Sequence, residues 1–218
     1  MKKALFLTVF LMTAMLASAQ WRIGAHAGAT YNHFTADKHY MTDYSYKDRW
    51  GIDAGVMGQY DFNNWLGVRA ELDFMQKNHT TKRLQVPTAY KYTNNYLVLP
   101  VMASFSFGSE KLRGFCNLGV YGGYWLSSHQ KGKLYNSFQD RIYSFDEKVD
   151  FNSDRDQRWD CGFVGGVGME YRFAPKWGAQ VEMRYYYSTT SVQKEYMRVK
   201  DPKYNSTLAL QAGVMYFF

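Results

Sequence analysis

Trp177-Gly178-Ala179-Gln180-Val181-Glu182-Met183-Arg184-Tyr185-Tyr186 is the stretch that decides the fold. Trp177, Ala179, Val181, Met183 and Tyr185 alternate with Gln180, Glu182, Arg184 and Tyr186. Successive side chains of a β-strand point to opposite faces, so a period of two reads as a strand with one apolar and one polar face. An aromatic ring stands at each end of the apolar face. The polar face carries two full charges in its middle. Strands that cross a lipid bilayer have this make-up: apolar and aromatic-bounded toward lipid, polar toward a lumen.

The same alternation occurs eight times. The stretches run Trp21 to Tyr31, Trp50 to Phe62, Leu66 to Phe74, Tyr96 to Phe107, Cys116 to Tyr124, Trp159 to Tyr171, Trp177 to Tyr185 and Leu208 to Phe218. Each has about the length of a tilted membrane-crossing strand. The connections alternate as well. Asp61 to Asn64, Gly108 to Arg113 and Ala174 to Lys176 are short. Phe34 to Arg49, Lys77 to Asn95, Ser128 to Arg158 and Ser188 to Tyr204 are long. Short periplasmic turns and long extracellular loops are how outer-membrane barrels are built. The expected fold is all-β: an eight-stranded antiparallel up-and-down transmembrane β-barrel.

The remaining composition fits this frame. The chain is 18% aromatic, and its rings gather at strand ends. Trp21, Tyr60, Trp65, Phe107, Tyr171, Trp177, Tyr216 and Phe218 fall at the short-turn end, and Trp50, Trp159 and Tyr185 at the long-loop end. They are expected to form two girdles at the water–lipid interfaces, where amphipathic rings are best placed. A soluble lipocalin-like barrel also alternates, but has no reason to ring both rims. The mean hydropathy of −0.44 suggests a soluble protein. Alternate lumen-facing residues and long polar loops account for it.

The polar faces carry Arg22, His26, Asp53, Arg69, Glu71, Asp73, Asp160, Glu170, Glu182 and Arg184. An eight-stranded barrel is barely wide enough for its own side chains. Arg22, Arg69 and Arg184 are expected to bridge the carboxylates there and block passage. A catalytic reading of the same groups lacks a nucleophile paired to a base. His33, His39, His79 and His129 lie in or beside loops without a recognisable motif. Asp154, Asp156 and Asp160 lack the glycine and terminal glutamate of a calcium loop. No cofactor, metal or catalytic residue is expected, and no nucleic-acid partner.

Residues 1–19 differ from the rest. Lys2 and Lys3 precede the apolar run Ala4 to Ala14, and Ala17-Ser18-Ala19 offers a cleavage site. This predicts a secretory signal peptide, with the barrel occupying 20–218. The apolar run is too short for a membrane-spanning helix. Cys116 and Cys161 fall near opposite rims, too far apart for a disulfide. Pro100, which has no N–H to give to a ladder, predicts a local bulge. Residues 134–138 and 141–145 are expected to prolong two strands into a hairpin above the membrane. Residues 38–49 and 81–92 mix Tyr with Lys and Arg, a surface suited to sugars or phosphates.

Three segments resemble the outer-membrane β-barrel domain family of Bacteroidota, the PorT-like group. Asn95-Tyr96-Leu97-Val98-Leu99-Pro100-Val101 resembles its Tyr-Leu-x-x-Pro strand opening. Residues 116–124 resemble its Asn-x-Gly-x-Tyr segment, and residues 160–171 its Asp-x-Gly…Gly-x-Gly-x-Glu-Tyr strand. Phe218 resembles the C-terminal signal that engages the outer-membrane assembly machinery. The resemblance implies an outer-membrane location without established enzyme chemistry, and some relatives support protein secretion. Three readings stay open. One is a plugged, non-enzymatic barrel contacting lipopolysaccharide, a surface partner or a secretion system. The others are a narrow passive porin and a lipid-modifying barrel enzyme.

Overall fold

The computed structural model describes residues 20–36, 43–195 and 202–218. The expected signal peptide and His39 lie outside these residues. The strands are β1 (Gln20–Ala36), β2 (Tyr44–Asp61), β3 (Leu66–Gln76), β4 (His79–Arg83), β5 (Ala89–Gly108), β6 (Leu112–Asn136), β7 (Arg141–Val149), β8 (Trp159–Ala174), β9 (Trp177–Ser188) and β10 (Lys203–Phe217). Every pairing is antiparallel.

Eight strands close a ring in the order β1-β2-β3-β5-β6-β8-β9-β10, and β10 pairs back onto β1 from Arg22↔Phe217 to Ala36↔Lys203. Closure pairs the backbone groups of the wall strand to strand, which is what lets a sheet stand in lipid. The turns at one end are tight. Gly108 joins β5 to β6 at φ 119°, a conformation that favours glycine.

The other two strands correct the loop reading. The expected long loop after Lys77 contains β4 and the first residues of β5. The chain steps out of line at Lys77 and Asn78, then resumes as β4 in the same slot between β2 and β5. Strand β6 continues to Asn136 and pairs with β7, giving the expected hairpin above the membrane. The extracellular side is therefore a raised wall of paired strands. Sequence alternation fades there because neither face meets lipid.

The bulge expected at Pro100 is absent. Registers on either side of it agree, Ala70↔Val101 and Asp73↔Val98, and Pro100↔Tyr121 is paired. The β3–β5 ladder instead skips the rows opposite Pro100 and Leu99. A local gap in one ladder absorbs the missing donor without shifting the strand. The register shift lies at Asn95/Tyr96, where Leu126 is the extra residue on β6. Cys116 and Cys161 are free thiols. They sit on paired strands but in rows six residues apart, Cys116↔Val167 and Gly122↔Cys161.

Candidate functional site

Two regions hold most of the buried polar chemistry: the lumen and its extracellular mouth. The lumen is built in tiers, because each strand offers every second residue inward. At the periplasmic end Arg22 pairs with Asp61 and Glu170. Arg172 lies beside this tier, its guanidinium 3.9 Å from the centroid of Phe217. Next, Arg69 reaches Glu182 at 3.1 Å and donates to Gln59 and Gln180. Gln59 donates onward to Asp61 and so ties the two tiers together. Above them Arg184 bridges Glu71 and Glu182, donating to Glu71 Oε1 at 3.0 Å and Glu182 Oε2 at 2.7 Å. Asn117 adds a bond to Glu182. Then come His26, Asp53 and Asp73, with Gln211 donating to Asp53.

All nine charged residues of the expected network are thus buried in the lumen. The expected network lacks two partners. Asp61, the last polar-face residue of β2 and the first of the short turn, folds its side chain back to Arg22. Lys77 falls at the start of an expected long loop. Its ammonium enters the barrel 2.6 Å from Asp160 and within 6 Å of the rings of Tyr96, Tyr121 and Tyr186. Tyr121 and Ser188 also donate to Asp160. The signal that finds Lys77 is geometric: where the wall breaks between β3 and β4, the side chain is free to turn in. Asp160 is committed here, so it forms no calcium cluster with Asp156, which receives Arg155 and the backbone of Asn152.

The outward residues match the expected levels. Trp21 packs on Tyr60 at 4.9 Å, and Trp177 on Tyr216 at 5.2 Å. Phe218 caps Tyr216, and Trp65 stacks on Phe105. At the other level Trp50 packs on Tyr31 and Trp159 on Tyr124. Phe107, Tyr171 and Tyr185 are exposed on the outer wall.

The raised wall encloses a cavity of about 620 Å³ at the extracellular mouth. Phe34, Tyr46, His79, Tyr92, Tyr96 and Trp125 give it aromatic walls. Tyr96 and Trp125 stack at 5.7 Å and 4°, and form its floor above the lumen. His79 lies between Phe34, at 4.1 Å, and Tyr92, at 4.9 Å. Burial, aided by Arg49 and Lys203, pushes its pKa down to about 3. Its ring stays neutral and acts as a third aromatic surface. Two other histidines expected in or beside loops lie in strands and pair with carboxylates, His33 of β1 with the half-buried Asp48 and His129 of β6 with the exposed Asp146.

This sets a pH dependence. Unfolded, His79 titrates near its ordinary value of ~6.5, so below that pH the unfolded chain binds a proton that the folded chain refuses. The stabilisation from the neutral ring is fully present above the unfolded value. It is lost progressively as pH falls toward about 3. By NMR, the His79 ring shifts are expected to stay flat from pH 8 to pH 5, and a titration of that ring near its ordinary value would show that it is not buried as placed.

The chain matches the outer membrane protein β-barrel domain over residues 14–192, well over half its length. It belongs to that family. Its place is the bacterial outer membrane. No curated protein matches it significantly. Among solved structures it is similar to the outer membrane protein OprG from Pseudomonas aeruginosa, at 13% identity and TM-score 0.58, over 92% of this chain and 96% of that one. It is also similar to the outer membrane protease OmpT from Escherichia coli, at 10% identity and TM-score 0.51, over 92% of this chain and 96% of that one. At such identities the likeness is one of fold.

Proposed function

We propose that this family member is a closed, non-enzymatic outer-membrane barrel whose work is done at its extracellular mouth. The observation that supports this reading is the series of buried ion pairs and amides along the lumen. Ion pairs and amides cross it from Arg22 at the periplasmic end to Lys77 and Asp160 below the mouth. A solute would have to separate buried charges that compensate one another, and breaking a buried pair costs about 3–5 kcal/mol.

The aromatic cavity is then a docking site for a sugar-bearing or anionic group at the cell surface, such as the saccharide of lipopolysaccharide. Stacked rings suit the apolar faces of sugars, and the cavity wall adds polar groups for sugar hydroxyls or an anion, among them Arg155, paired with Asp156, and Lys203, bonded to Gln193. Support of envelope integrity or secretion follows from such docking. Kinship with the PorT-like group rests on the three motifs quoted above. The exposed C-terminal Phe218 is assigned to recognition by the assembly machinery.

Planar-bilayer recording tests the closed lumen. Purified protein is expected to give no stable channels, and reproducible unitary conductance would establish the narrow-porin reading instead. Expression in a host with defined lipid A is expected to leave its mass unchanged. A new lipid A species would refute the non-enzymatic assignment.

A further inference from the structure

We propose that His26, Asp53 and Asp73 form a divalent transition-metal site in the barrel lumen, with zinc as the natural probe. Their three donor atoms lie within 4.8 Å of one another, and all three residues are buried. Donors held ~2.1 Å from one ion stand roughly 3.0–4.2 Å apart. Small side-chain rotations bring the three onto a common centre.

A second observation points to a ligand. Both ring nitrogens of His26, Asp53 Oδ1 and both oxygens of Asp73 are buried without a hydrogen-bond partner in the protein. The His26 side chain is 1% exposed and that of Asp73 is 0%. His26 Nε2 stands 3.3 Å from Asp73 Oδ1, an ion-pair distance without hydrogen-bond geometry. Buried polar atoms are rarely left so. The amide oxygen of Gln211 is also unpartnered, on the side chain whose nitrogen holds Asp53.

The charge balance agrees. In this part of the lumen four carboxylates, Asp53, Glu71, Asp73 and Glu182, face two guanidinium groups, Arg69 and Arg184. With all four carboxylates ionised and His26 neutral, as a metal ligand requires, the excess of two negative charges is what one divalent cation neutralises. Uncompensated buried charge is otherwise very costly. Imidazole and carboxylate together suit first-row transition ions such as zinc more than magnesium or calcium.

The backbone leaves room for the cluster. His26, Gly55 and Asp73 share one row across β1, β2 and β3. A Cβ on Gly55 would stand 2.0 Å from Asp73 Oδ1. The glycine lets the two ligands converge over it. The Tyr186–Lys77 tier lies above the site and the Glu71–Arg184 pair beside it. An ion is therefore captured as the barrel closes, and ties three neighbouring strands together.

The test unfolds the protein in urea and refolds it into detergent micelles with zinc, then removes loose metal by gel filtration. One zinc per folded chain is expected by elemental analysis, with an unfolding midpoint higher than that of the chelator-treated protein. Asp73→Asn and His26→Gln are expected to lose the metal while keeping heat-modifiable gel mobility. Absence of bound zinc in folded wild type, or equal retention in folded variants, overturns the site. Should no variant fold, the cobalt-loaded wild type decides. A paramagnetically shifted His26 ring supports the assignment, and an unshifted one refutes it.

Discussion

Arg184→Ala is expected to destabilise the barrel by about 3–5 kcal/mol, the range for breaking a buried ion pair from one side. Arg184 is fully buried and is held by both Glu71 and Glu182. Its removal leaves Glu71 with Arg69 at 3.8 Å as its remaining ion-pair partner. The lost side chain also opens a gap beside Tyr186, which receives a bond from the guanidinium. Urea unfolding in micelles, followed by tryptophan fluorescence, measures the effect. Arg184→Lys is expected to recover only part of it, because an ammonium cannot present the planar fork that spans two carboxylates. Replacing the pair together, Arg184→Met with Glu71→Gln, is expected to cost less than Arg184→Ala alone. A loss below about 1 kcal/mol for Arg184→Ala would show that the lumen is wet enough to solvate the stranded acids.

Val181→Arg carries the second large effect, about 2–4 kcal/mol against folding into a bilayer. Val181 is 53% exposed on the outer wall of β9. It lies midway between the rim residues Trp177 and Tyr185 of the same strand, paired with Ala212 and Met169. A guanidinium there faces hydrocarbon. Leu112→Arg, at the short-turn rim, is the control, and is expected to cost about 0–1 kcal/mol because its charge reaches water. Equal costs for the two variants in lipid vesicles would mean that the outer wall does not face hydrocarbon at the depth assigned to it.

The ring of eight strands was legible because lipid on one side and a polar lumen on the other write opposite chemistry on alternate residues. Glu182 and Arg184 between Val181, Met183 and Tyr185 have no other economical reading. The tight turns and the separation of Cys116 from Cys161 follow from the same register. Above the membrane that contrast disappears. Tyr, Lys, Thr and Gln suit a loop and a solvated strand equally well, so β4 and the upward reach of β5 were invisible until the pairing was known. Pro100 shows a different limit. Its missing donor required some irregularity, but only the neighbouring strand decided whether the chain would bulge or the ladder would skip.

The sequence by itself determined the barrel, the strand faces and which of the strands' own charges lie inside, because each depends on the order of residues along one strand. Only the tertiary structure decided which charge meets which. Lys77 reaches Asp160 because the wall steps between β3 and β4. His26 converges with Asp73 because Gly55 stands between them in one row, and Asp53 joins them from two residues along β2. Such partners come from strands far apart in the chain, and their distances are set by closure and shear of the whole ring, which no single strand encodes.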